Sequence, residues 1–140
     1  MDITINWIAV LLAALSSMIV GSIWYGPAFG KQWIKLANVK KDPNFTAAKA
    51  TRMYLGTLLT VFVTATVLAY GTVLIHNSSA NDYLLDAVLA GIVLAVGVVA
   101  TRLYMQDSFE GRRKMLTALN VANVIVTYLV MAVIIGLLPA

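Results

Sequence analysis

The sequence predicts an all-α integral membrane protein: four transmembrane helices in a small bundle, with a short interfacial amphipathic helix after the first span. Three observations predict it. Of the 140 residues, 61% are hydrophobic and 11% charged, with a mean hydropathy of +0.87, whereas an average soluble domain is about 45–50% apolar and about 25% charged. Four apolar stretches each reach the about 20 residues that a helix needs to cross the hydrocarbon core. All ten lysines and arginines fall in the connections that four spans would put on one side. The stretches use up well over half of the chain, so residues 1–140 are predicted to form a single transmembrane domain with no separate soluble unit.

The first span is predicted at about residues 5–25. It lacks the positively charged start and small-residue cleavage site of a signal peptide, so it is expected to remain in the protein. The second, at about 54–75, is rich in threonine and valine, which a lipid-embedded helix tolerates because its backbone must bond internally. Asp42 followed by Pro43 reads as an N-cap with proline at the first helical position, so this helix is expected to begin in water. The third span is predicted at about 84–105, with Asn81 or Asp82 capping its start. The fourth is predicted at about 115–138, approached by a turn that Asp107 and Glu110 start as a capping box, and ended by Pro139. Between the first two spans, Phe29, Trp33 and Leu36 recur at helical spacing while Lys31, Lys35 and Asn38 take the other face. That is the pattern of a short helix lying among lipid headgroups.

Composition also excludes functions. The chain has no cysteine and one histidine, which removes disulfides, thiolate chemistry and sulfur-ligated metal, and His76 alone cannot build a zinc site. No metal or cofactor is expected, and no enzymatic activity. A net charge of +4 and a pI near 9.5 would suggest nucleic acid in a soluble protein, but here the basic residues set orientation and no nucleic-acid partner is expected. Lys31, Lys35, Lys40, Lys41, Lys49, Arg52, Arg102, Arg112, Arg113 and Lys114 share one side. The other side holds Asp2, Asp82 and Asp86. The positive-inside rule then puts the basic loops in the cytoplasm and both termini outside, in the cytoplasmic membrane of a bacterium.

At residues 21–33 the sequence reads GSIWYGPAFGKQW. With Asn6-Trp7 near the start of the first span, Arg102-Leu103-Tyr104 at the end of the third and an asparagine-bearing fourth span, it resembles the bacterial membrane proteins grouped as domain-of-unknown-function family 1761. The likeness covers nearly the whole chain, and the final span lacks the terminal tryptophan of many members. The resemblance implies a small integral membrane protein of unestablished activity and brings no catalytic residues.

Physically, GSIWYGPAFG reads as an interfacial elbow. Trp24, Tyr25, Phe29 and Trp33 supply rings suited to the headgroup layer, while Gly26 and Pro27 stop the helix and turn the chain. The elbow either anchors the span or offers a rim that touches a partner or a lipid headgroup. Inside the spans, Ser16, Ser17, Thr60, Thr64, Asn123 and Thr127 fall in one central layer. They form either a site for a small polar solute or a set of interhelical hydrogen bonds, and Asn123 separates the two. In packing, its amide bonds to Ser17, Thr60 or Thr64 of a neighbouring span; in a site, space remains beside it. Arg102 and Asn120 belong to the cytoplasmic rim, where Arg102 is expected to snorkel to the headgroups. No acidic residue is expected deep in any span. The partners expected are membrane lipids and a second copy of the chain, through the small-residue faces Ala13, Ser17, Gly21 and Ala87, Gly91, Ala95. The leading function is a non-enzymatic binding, accessory or assembly protein; the alternative is an oligomeric facilitator or transporter of a small solute or lipid.

Overall fold

A computed structural model describes residues 3–140; Asp2, counted above with the acidic side, lies outside the described residues. Helix α1 runs Trp7–Ile23 and passes into a π-helical turn, Trp24–Ala28. A short α2 follows at Gly30–Ala37, then α3 at Ala47–His76. The third span is α4, Tyr83–Ile92, a π-helical stretch, Val93–Ala100, and α5, Thr101–Phe109. Helix α6 spans Lys114–Leu137. Four continuous helices are long and apolar enough to cross a membrane: 7–28, 47–76, 83–109 and 114–137. The predicted spans all fall on them, and the second extends well beyond its apolar stretch at the basic end.

The helix starts differ from the sequence reading in three places. Helix α3 begins at Ala47 with Thr46 as its cap, the hydroxyl accepting from the Lys49 amide at 3.3 Å. Asp42 instead closes a turn by accepting from the Asn44 amide at 2.8 Å, because the chain still has to turn there before the helix can start. Asp82 occupies the cap position of α4 without a side-chain bond, and Asn81 points to Asp86 instead. Asp107 lies inside the last turns of the third helix and Glu110 ends it, so they form no capping box at the start of the turn that leads to the fourth, whose cap position is Arg113.

Packing is concentrated in the half of the bundle away from the basic loops. Val10, Ala13 and Ala14 of α1 meet Ala65, Leu68 and Ala69 of α3, Ala90 of α4, and Met131, Ala132 and Ile135 of α6. Nine of the sixteen buried apolar side chains described are alanines. Lipid tails are as apolar as leucine, so spans gain little by burying large side chains and associate through close van der Waals contact, which small residues permit. Helices α4 and α6 approach most tightly. A Cβ added at Gly91 would lie 2.9 Å from the Ala132 Cβ, and one at Gly136 would lie 2.8 Å from the Leu84 Cα. Asn6 seals this end: it caps α1 by accepting from the Ile8 and Ala9 amides and donates to the Leu138 carbonyl at 3.2 Å.

The small-residue faces named above are used inside the chain. Ala13, Ala87 and Ala95 are at most 1% exposed and Ser17 is 8% exposed, while Gly21 opens on the space beside α1. The buried members are what lets the four spans approach one another.

Candidate functional site

The half of the bundle nearer the basic loops is built differently. From Thr51 to Thr60, α3 is almost entirely exposed to its surroundings, and the second part of the third span, from Val93 onward, packs chiefly on α6. The change coincides with the π-helical stretch Val93–Ala100, which alters the helix winding and so redirects the faces that follow. Among α1, α3 and α6 this leaves a cleft of about 690 Å³, within the about 300–1,000 Å³ range of small-molecule sites.

Four of the six central-layer residues, Ser17, Thr64, Asn123 and Thr127, line this cleft; Ser16 and Thr60 do not. The Ser16 hydroxyl donates to the Ala13 carbonyl at 2.7 Å and that of Thr60 to the Thr57 carbonyl at 2.8 Å. Both are taken up by their own helix, as serine and threonine commonly are in apolar surroundings. Asn123 makes no interhelical bond to Ser17, Thr60 or Thr64: its Nδ2 is buried without a hydrogen-bond partner. The hydroxyls of Ser17, 8% exposed, and Thr127, 9% exposed, also make no hydrogen bond among the described residues. Ser17, Thr127 and part of the Asn123 side chain therefore line one hollow, while the Asn123 Nδ2 is sealed within the wall and bonds to no neighbouring span.

The elbow forms the far end of the cleft. Gly26 takes φ −109°, ψ −107°, outside any helix, and α2 leaves at an angle with Lys31 and Lys35 exposed and Trp33 and Leu36 half-buried, as its amphipathic pattern predicts. Aromatic contacts staple the turn, Trp24 to Phe29 at 4.6 Å and Tyr25 to Trp33 at 5.2 Å between ring centroids. Gly30 is required there because an added Cβ would lie 2.7 Å from the Tyr25 carbonyl oxygen. The Tyr25 hydroxyl donates to Asn120 Oδ1 at 2.9 Å, joining the elbow to α6. Tyr25, Gly26 and Trp33 line the cleft, while Trp24 keeps its indole N–H buried without an acceptor and Pro27 is exposed. Arg102 is exposed and free of ion pairs among the described residues. The acids nearest it in sequence turn to another partner: Arg112 Nε lies 2.7 Å from Glu110 and 3.7 Å from Asp107.

A second polar cluster was not expected. Asp86 is fully buried one turn into α4, and its carboxylate accepts from the Ser79 hydroxyl at 2.6 Å, His76 Nδ1 at 2.8 Å and Asn81 Nδ2 at 3.1 Å. The His76 ring stands edge-on to Tyr83 at 5.1 Å. Asp86, counted above only for its side, thus bridges α3, the following loop and α4. The available signal was its register: Asp86 lies one turn before Ala90 on the face that packs inward. Likewise Asp107 is buried, and accepts from the Thr117 hydroxyl at 2.7 Å, tying α5 to α6. Among the described residues no group of three histidine, cysteine or acidic side chains could hold a metal.

Fold and site thus define a four-span, multi-pass membrane protein with an intramembrane cleft. The family model described as "Protein of unknown function (DUF1761)" matches residues 8–136, and the chain belongs to that family. No curated protein and no solved structure matches it.

Proposed function

We propose that this protein is a non-enzymatic binding protein of the cytoplasmic membrane, with the cleft among α1, α3 and α6 as its site and the basic loops facing the cytoplasm. The observation that carries the reading is a hollow of ligand size lined by Ser17 and Thr127, whose hydroxyls make no hydrogen bond among the described residues, and by no charged side chain. A molecule seated there can exchange hydrogen bonds with both hydroxyls, each of which donates and accepts. Asymmetry supports the orientation, since all ten basic residues belong to one end. The facilitator reading requires a path through the bundle, and the alanine-packed half opposes it.

The test is purification in mild detergent followed by mass spectrometry of whatever stays bound, alongside Gly21→Leu. Gly21 lines the cleft and an added Cβ there meets nothing within 4 Å, so a leucine side chain starts out into open space beside the hollow. A small molecule retained by the native chain and lost from Gly21→Leu supports a binding site. Nothing retained by either chain, or equal retention by both, rejects it.

A further inference from the structure

We propose a second binding site, at the end of the bundle away from the basic loops: the hollow beside His76 takes a small primary ammonium ion from the water phase, with the His76 Nε2 lone pair accepting its N–H. This site is independent of the cleft.

Where α3 and α6 end, a recess of about 380 Å³ is lined by Val73, His76 and Asn77 of the α3 end, by Tyr83 of α4 and by Pro139 beyond α6. That volume falls within the about 300–1,000 Å³ range of small-molecule sites. Its walls are span ends and connections, so it opens toward the headgroups and water and not into hydrocarbon.

His76 is held in a fixed pose at its edge. Asp86, fully buried, lies 2.8 Å from Nδ1, and the ring stands edge-on to Tyr83. The carboxylate also accepts from Ser79 and Asn81. An ionised carboxylate only accepts, so Nδ1 carries the ring proton and Nε2 of the neutral ring keeps its lone pair. Nε2 makes no hydrogen bond among the described residues. The buried side-chain atoms left without a partner among those residues are Trp24 Nε1 and Asn123 Nδ2, so His76 Nε2 is an open atom, on a side chain that is 41% exposed. Its sense is set by Asp86: it accepts.

Charge then selects the donor. All ten lysines and arginines belong to the other end. Asp86 lies behind the ring, and Asp82, next to Tyr83, is exposed and makes no ion pair among the described residues. An anion would meet two carboxylates with no cation to offset them. A neutral donor gains the hydrogen bond alone, whereas an ammonium gains a charge-assisted bond to Nε2 and the attraction of both acids. Val73, Tyr83 and Pro139 offer apolar wall to a short hydrocarbon substituent.

The chain has one histidine, so ring-¹⁵N histidine labels this site alone. The labelled chain in nanodiscs of zwitterionic lipid is titrated at about pH 8.5, about two units above the ordinary histidine value and two below that of an alkylamine. The probes are butylammonium, butyltrimethylammonium, butanol and butyrate. Before any addition Nδ1 should carry the proton and Nε2 be bare. Butylammonium should shift the Nε2 resonance saturably, at about tenfold lower concentration than butanol, the difference between a charge-assisted and a neutral hydrogen bond. The quaternary ion, which has no N–H, and the anion should not saturate. Equilibrium dialysis of radiolabelled butylamine then compares the native chain with His76→Asn, whose amide N–H stands near the place of Nδ1 and keeps the tie to Asp86 but offers nothing in place of Nε2; saturable uptake should be lost. A proton on Nε2 in the free protein, no saturable shift with butylammonium, equal or tighter binding of any other probe, or undiminished uptake by His76→Asn overturns the proposal.

Discussion

Replacing His76 with alanine should leave Asp86 as an undercompensated buried charge, and a second replacement at Asp86 should repair the damage. The carboxylate is fully buried and holds three donors at 2.6, 2.8 and 3.1 Å. Hydrogen bonds to an ionised group contribute about 1.5–3 kcal/mol each. The His76 side chain is 41% exposed, so water screens this bond and the lower part of the range applies, about 2 kcal/mol for His76→Ala. Asp86→Asn in the native background should cost a similar amount, since its amide sets N–H groups against donors. In the His76→Ala background the same substitution removes a charge that has lost a partner, and its cost should fall to near zero. The expected coupling of about 2 kcal/mol far exceeds the about 0.5 kcal/mol scatter of independent sites. The assay is reversible unfolding of the four chains in mixed micelles, followed by circular dichroism as the fraction of denaturing detergent rises. Additive costs would show that the pair does not interact in the folded protein and would remove the cluster from the account of its stability.

The remaining expectations are simpler to read. Gly91→Ala should destabilise by about 1–2 kcal/mol because the new methyl meets Ala132 and the Tyr128 carbonyl, whereas Gly21→Ala, with open space around it, should stabilise by up to about 1 kcal/mol; thermal melts in detergent that rank them the other way reject the packing. Single cysteines at Asn77 and Asn44, both exposed, in this cysteine-free chain test orientation: an impermeant thiol reagent on intact cells should label the first and miss the second, and the reverse result inverts the topology. The Glu110 carboxyl is held below its ordinary 4.5 by the Gln106 amide and then by Arg112. A lowered folded value means that its contribution to the loop is present above the ordinary value and disappears as pH falls through the lowered one. A carbon NMR titration should therefore give a midpoint under 4.5 that rises in Gln106→Leu, and an unmoved midpoint removes the bond. Arg102→Lys should leave stability unchanged, because an exposed cation without a partner asks only for charge; a measurable loss would place the guanidinium against a bidentate acceptor.

Local rules carried the fold a long way. Each span, the elbow at Gly26 and Pro27, and the amphipathic α2 follow from hydropathy, turn chemistry and periodicity within a few tens of residues. The caps were less legible, because a cap depends on where the chain leaves the previous turn: Asp42 and Thr46 are both competent, and the geometry of the loop selects Thr46. Of the central layer, depth along each helix was readable from a rise of about 1.5 Å per residue, but azimuth was not. Ser16 and Ser17 differ by one position and about 100° of rotation, and only Ser17 faces the cleft.

The sequence by itself determined that this chain crosses a membrane four times and that its basic residues gather at one end, because both depend on composition summed along contiguous segments. Tertiary structure alone decided what the polar residues do. Whether Asn123 ties two spans together depends on whether an acceptor on a neighbouring span stands within about 3 Å of its amide, and none does. Whether Asp86 is a loop acid or a buried acceptor depends on three donors delivered by the end of α3 and the loop after it. Small residues could be seen to mark a close-packing face, but the same stripe serves equally between copies or within one. The fit of Gly91 on Ala132 shows the Ala87, Gly91, Ala95 stripe in use within the bundle.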